Sequence, residues 1–207
     1  MSNDKLVVVD QLAKQIRDCK ICEPHLPMGA NPVIQFDPQA RLLIVGQAPG
    51  IRAHNSGIAF NDPSGDRLRD WLGVDKQQFY DARKIAIVPM GFCYPGTGKN
   101  GDLPPRLECA TAWRSKLLAQ LEQVQLTLVI GQYAMQWHLP DEKKQSVTSL
   151  VKQWHRFAPD VFPMPHPSPR NNRWLKNNPW FEVELLPKLK QQVQAALAYA
   201  ANLSAGV

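Results

Sequence analysis

The chain has 207 residues, 44% of them hydrophobic, and 24 Lys and Arg against 18 Asp and Glu give it a formal net charge of +6. That length suits a single domain over residues 1–207, and the apolar content excludes a disordered chain. No apolar stretch approaches the ~20 residues of a membrane span, and a start with Asp4 and only a short apolar run is no secretory leader, so a cytoplasmic protein without a membrane partner is expected.

In chain order, residues 5–18 have the spacing of an amphipathic helix, with Leu12, Ile16 and earlier valines on one side. RLLIVGQAPG (41–50) reads as a short buried strand running into a Gly/Pro turn. KIAIVPMG (84–91), LTLVIGQY (126–133) and DVFPMPHP (160–167) read as further strands. Helical patterns cover roughly 64–73, 107–122 and 133–138, and a last helix covers about 182–202, with Pro187 as a kink or as its true start. Buried strands alternating with helices predict an α/β fold, a three-layer α/β/α sandwich around a mainly parallel four-stranded sheet. Ligand sites in such sheets lie beyond the carboxyl ends of the strands. GQAPG, GFCYPG and HPSPRN all fall at that end, so three loops distant in sequence are expected to share one crevice.

MPHPSPRNN (164–172) sits between an apolar run and a basic, Trp-containing stretch. Its prolines forbid a regular helix or interior strand, so the chain holds His166 in a stiff loop and follows it with Arg170. Arg170, Arg173 and Lys176 make a basic cluster there, and Arg52, Arg67, Arg69, Lys99 and Arg106 lie in or near other Gly/Pro-rich segments. Basic charge alone describes a solvated face as well as it describes a phosphate-binding one.

Four cysteines remain. Cys19 and Cys22 form a C-x2-C pair, and Cys93 and Cys109 stand 16 positions apart. A cytosolic protein rarely spends four cysteines on disulfides. Four thiolates suit a structural zinc ion or a [4Fe–4S] cluster, and spacing does not choose between them. Small buried thiols are the plain alternative for Cys93 and Cys109.

Taken together, these motifs resemble the uracil-DNA glycosylase superfamily, most closely its iron–sulfur branches, families 4 and 5, from Cys19 to about Trp180. The resemblance implies that Cys19, Cys22, Cys93 and Cys109 hold a structural [4Fe–4S] cluster, with zinc as the lesser alternative. VGQAPG (45–50) is similar to motif one, so Gly46, Ala48 and Pro49 would wall the base pocket. Phe60 in SGIAF would stack on the flipped base; alone it reads as an ordinary core aromatic. HPSPRN (166–171) is similar to motif two of the single-strand-selective branch. It implies that His166 donates to uracil O2 as the bond breaks and that Arg170 fills the gap left by the flipped nucleotide. Ser168, Asn171 and Arg173 would join it on the DNA.

Breaking an N-glycosidic bond leaves negative charge on the base and cationic character on the sugar. A donor at the base and a carboxylate near the sugar are therefore wanted. The best-studied branch has an Asp in motif one where this chain has Ala48. DPSGD (62–66) resembles the family 5 stretch, which nominates Asp62 to position the water, while Asp-Pro-Ser before a helix is equally a cap. Asp66 reads as a first-turn helix residue, and Gln47 is the alternative water holder. Family 4 reads uracil with an Asn where this chain has Pro89, so backbone groups at Met90 and Gly91 are the substitutes, and hypoxanthine or xanthine join uracil as expected bases. Asn55 and Asn61 are lesser polar candidates, and His54 is expected to be an exposed loop residue. GTGK within 93–109 lacks P-loop spacing.

The expectation is a monomeric DNA glycosylase acting on DNA that contains a deaminated base. A catalytically weak or inactive nucleic-acid-binding iron–sulfur protein of the same fold is the alternative. An iron–sulfur redox protein is the third reading, and it leaves HPSPRN and GQAPG without a task.

Overall fold

A computed structural model describes residues 3–99 and 101–204. The core is a four-stranded, wholly parallel sheet of order β2-β1-β5-β6, built from β1 (Leu42–Val45), β2 (Ile85–Ile87), β5 (Leu126–Ile130) and β6 (Val161–Met164). Every residue of β1 and β2 is buried, so both faces of the sheet are covered. Pro163 is tolerated because β6 is an edge strand, where a missing N–H costs no ladder bond. A separate two-stranded hairpin, β3 (Thr97–Gly98) and β4 (Gly101–Asp102), stands apart from the main sheet.

Ten α-helical segments are found among the described residues. α1 (Asn3–Arg17) buries Val9, Leu12 and Ile16, but Val7 and Val8 are exposed, so of those valines only Val9 lies on the apolar stripe. The chain then runs through α2 (Ile51–Ser56), α3 (Pro63–Leu72) and α4 (Lys76–Tyr80). The helix expected over 107–122 is α5 (Leu107–Cys109) and α6 (Ser115–Leu118), joined by a π turn over Ala110–Arg114. α7 (Gly131–His138) starts directly at the end of β5, which shortens that strand, and α8 (Val147–Lys152) follows. α9 (Asn172–Asn177) begins just after the Pro169–Asn171 3₁₀ turn, and only its first residue falls in the 164–172 stretch expected to be irregular. A second π turn, Phe181–Leu185, leads into α10 (Leu186–Ser204), so Pro187 sits near the helix start, where a missing N–H is tolerated. α10 packs on α3 and on β1 and β5, while α7 and α8 pack on β5 and β6.

The order β2-β1-β5-β6 reverses direction between β1 and β5, which opens a crevice at the carboxyl ends. No helix among the described residues is long and apolar enough to cross a membrane.

Candidate active site

A cavity of about 560 Å³ opens at that crevice. Its walls come from the turn after β1 (Gly46, Gln47, Ala48, Pro49 and Gly50), from Phe60, Asp62 and Ser64 around the start of α3, and from Pro89 after β2. Gly101 and Asp102 of the hairpin and His166, Ser168, Arg170 and Asn171 after β6 complete it. Two of the three loops expected to converge, GQAPG and HPSPRN, do so; GFCYPG (91–96) contributes no residue to the lining, and Pro89 with the hairpin residues Gly101 and Asp102 stands in its place.

His166 is held by its own loop. The Ser168 N–H donates to His166 Nδ1 at 3.1 Å. A backbone amide only donates, so Nδ1 is the acceptor and the proton of the neutral ring sits on Nε2. Crowding by the cleft walls lowers the His166 pKa from the usual value, and the charges of Asp62 and Asp102 oppose that shift. His166 is an exposed residue of the cavity lining, so the lowering reflects the nearby walls rather than full burial. The net lowering keeps the imidazole neutral near pH 7, with one donor to offer.

The loop is pinned twice more. Asn171 Nδ2 donates to the His166 carbonyl at 2.7 Å, and the Arg170 N–H donates to Ser168 Oγ at 3.2 Å. From α3, Arg67 donates to the carbonyls of Pro167 (3.4 Å) and Ser168 (3.1 Å) and to Asn172 Oδ1 (2.8 Å). Arg67 was read from sequence only as surface charge; it is a brace between α3 and the His166 loop.

Asp62 is the N-cap of α3 and lines the cavity as well. Its Oδ1 accepts the Gly65 N–H at 2.9 Å. Both sequence readings, cap and cavity residue, therefore describe the same side chain. Phe60 has φ +54, the left-handed region that costs a bulky residue about 1–3 kcal/mol. Gly65 makes this possible, since a Cβ there would lie 1.8 Å from the Phe60 carbonyl oxygen. The Tyr80 hydroxyl donates to that oxygen at 3.3 Å, and the Phe60 ring meets Phe79 edge-on at 6.2 Å.

Not every nominated residue reaches the cavity. Met90 and Gly91 do not line the cavity. Their amides are spent holding the loops together, Met90 N–H to the Gly46 carbonyl (2.8 Å) and Gly91 N–H to the Gln47 carbonyl (2.9 Å). Pro89 lines the cavity in their place. Its carbonyl and that of Val88 accept from the fully buried Arg114, at 2.8 and 2.9 Å. Gln47 lines the cavity, but its Nε2 donates to the Leu103 carbonyl (2.8 Å) and the Asp102 carbonyl (3.4 Å), so its side chain docks the hairpin. Arg173 is exposed on α9, outside the cavity lining. Asn55 and Asn61 are exposed and line nothing there. His54 is buried on α2 against Tyr94, rather than exposed. Arg69 is buried too, paired with Asp66 at 2.6 Å.

Asp102 was missed by sequence reading, although Asn100–Gly101 is an N-G pair, a strong hairpin signal. Arg170 closes the cavity against this hairpin. A Cβ on Gly101 would lie 2.9 Å from its guanidinium, which a flexible arginine can yield, while φ +129 itself favours glycine there.

The four cysteines are free thiols, three buried and Cys19 half-buried. Burial pushes Cys93 up to about 12 and Cys109 to about 11, and in each the charges of other cysteines of the set push the same way. N–H donors reach three of the sulfurs: Trp113 Nε1 to Cys19 (3.2 Å), the Phe92 amide to Cys109 (3.4 Å) and the Asn31 amide to Cys93. Donors of this kind stabilise metal-bound thiolates, so the chemistry of the set fits a cluster. Among the described residues, no group of three or more His, Cys, Asp or Glu side chains is placed to hold a metal ion.

The fold and cavity define an α/β protein whose ligand cleft sits at a switch point of a parallel sheet, with a neutral histidine donor in its wall. A family model described as the uracil DNA glycosylase superfamily matches residues 33–190, most of the chain. The protein belongs to that superfamily. The match includes Cys93 and Cys109 and starts after Cys19 and Cys22.

Proposed function

We propose that the protein is a monofunctional DNA glycosylase that hydrolyses the N-glycosidic bond of uracil, or of the related deaminated bases hypoxanthine and xanthine, and leaves an abasic site. The observation that carries this reading is the tautomer of His166. With Nδ1 accepting from Ser168, Nε2–H is the ring's donor, in a residue that lines the cavity. A donor placed where charge develops on the leaving base contributes about 3–4 kcal/mol of transition-state stabilisation.

The base leaves the stack to enter the cavity, at a cost of about a few kcal/mol in a duplex. Phe60 stacks on it, and Arg170 fills the gap from the same rigid loop that carries His166. Ser168, Asn171 and Arg173 contact the strand, and Asp62 offers negative charge to the cationic sugar. Cys19, Cys22, Cys93 and Cys109 would hold a [4Fe–4S] cluster, which would tie the segment just after α1 to those that carry Cys93 and Cys109. The protein acts as a monomer.

The test is a single-turnover assay on oligonucleotides carrying one uracil, hypoxanthine or xanthine, with protein purified without oxygen and its iron measured. Alkali-sensitive cleavage at the modified base is expected, with a loss of about 10²-fold or more in His166→Ala. A folded, iron-loaded protein that binds DNA and cleaves none of these would establish the binding-only reading, which the lack of a motif-one carboxylate at Gln47 and Ala48 favours. Protein with no iron would remove the cluster from the proposal.

A further inference from the structure

We propose that Asp102 is a second catalytic carboxylate of this site, the group that takes the proton of the attacking water; the proposal rests on the glycosylase reading above. The turn after β1 carries no acid, since Gln47 and Ala48 occupy it. Its Gln47 side chain instead grips the carbonyls of Asp102 and Leu103, which docks the end of β4 on that turn. Asp102 thereby lines the cavity next to Gly50, its Oδ2 lying 3.6 Å from the position a Gly50 Cβ would take. A carboxylate is thus brought by a distant hairpin to the turn that has none of its own.

The side chain is oriented. Thr97 Oγ1 donates to Asp102 Oδ1 at 3.1 Å, and Thr97 Oγ1 is itself bonded to the Tyr94 hydroxyl at 2.6 Å. Oδ2 has no hydrogen-bond partner among the described residues. Asp62 likewise has Oδ1 committed, there to the α3 cap, whereas Asp102 stands beside the motif-one turn, next to Gly50. Asp62, Asp102 and His166 all line the same cavity.

In the step proposed, the C1′–N bond breaks and its electron pair stays on the base, where His166 Nε2–H supports it. The water oxygen bonds to C1′ and one water proton passes to Asp102 Oδ2 and then to solvent. The base anion takes a proton from solvent, which leaves free base and an abasic sugar. Asp62 contributes charge to the sugar face.

A carboxylate in a DNA cleft repels phosphates, so neutralising it separates a catalytic role from a structural one. Single-turnover rates and DNA affinity by fluorescence anisotropy would be measured for wild type, Asp102→Asn, Thr97→Val and His166→Ala. Asp102→Asn is expected to be about 10²-fold slower or more, with DNA binding equal or tighter, and Thr97→Val slower by a smaller factor. Asp102→Asn within about threefold of wild type overturns the proposal, as does a slower rate matched by equally weaker binding. If Asp102→Asn does not fold, Thr97→Val decides: wild-type rate overturns the assignment. Wild-type protein that cleaves nothing removes the glycosylase reading itself. Cleavage lost in His166→Ala and intact in Asp102→Asn removes only Asp102.

Discussion

At the scale of single residues, the site depends on which atoms are already spoken for. His166 has one nitrogen spent on Ser168 and one left over. Asp62 has one oxygen spent on Gly65. These commitments allow a clean separation of roles at position 62. Asparagine caps a helix as well as aspartate does, so Asp62→Asn keeps the melting temperature of wild type while removing the charge. Asp62→Ala loses the cap and about 1 kcal/mol of stability. If Asp62 serves the sugar, both variants lose rate in single-turnover assays, and equal wild-type rates in both would leave it a cap only. The motif residues were legible because each has an unusual neighbour in sequence, proline beside His166 or glycine near Phe60. Asp102 was not, because nothing local marks an acid in a Gly/Pro loop as facing a histidine more than sixty positions away. The amides of Met90 and Gly91 were open candidates because sequence does not show that an amide is already taken.

At the scale of elements, α3 does two jobs. Its first residues shape one wall of the cavity, and one turn later Arg67 reaches three acceptors in the His166 loop. Arg67→Ala is expected to loosen residues 166–172, seen as faster amide exchange there, and to lower the single-turnover rate about tenfold with the melting temperature changed little. A rate equal to wild type would show that the loop's own bonds, Asn171 to the His166 carbonyl among them, suffice. The four strands and the longer helices were readable because burial imposes period and length on them. α2, α4, α8 and α9 were not, since helices of five or six residues carry too few turns for a periodic pattern and rest on caps and tertiary packing instead. The α5–α6 break at the π turn is likewise set by tertiary demand, as that turn carries Arg114 into the core.

At the scale of the whole molecule, the buried Arg114 is a stability element of unusual type. It is fully buried and bonds two carbonyls and His138 Nε2, at 2.9 Å for the last. His138 must therefore stay neutral. Burial, with the Arg114 charge added, pushes its pKa down to about 4 from the ordinary 6.5. Between those values the unfolded chain binds the proton and the folded one does not, so stability falls as pH drops through that window. The contribution is complete above pH 6.5 and amounts to on the order of 3 kcal/mol. His166, shifted the same way, adds to the trend. His138→Gln keeps an acceptor for Arg114 and removes the titration. Melting temperatures from pH 4 to 7 are expected to slope less in that variant, and an unchanged slope would exclude His138 as the source.

The hairpin is fastened to the core through main-chain oxygens: Gln47 holds the carbonyls of residues 102 and 103, which every amino acid possesses. Fastening of that kind is indifferent to the side chains at 102 and 103. As far as folding goes those two positions are an exchangeable cassette, and a library randomised there should yield mostly folded proteins, of which those without an acid at 102 cleave slowly. Selection acting on this chain is therefore free to test the chemistry of the hairpin without first unseating it.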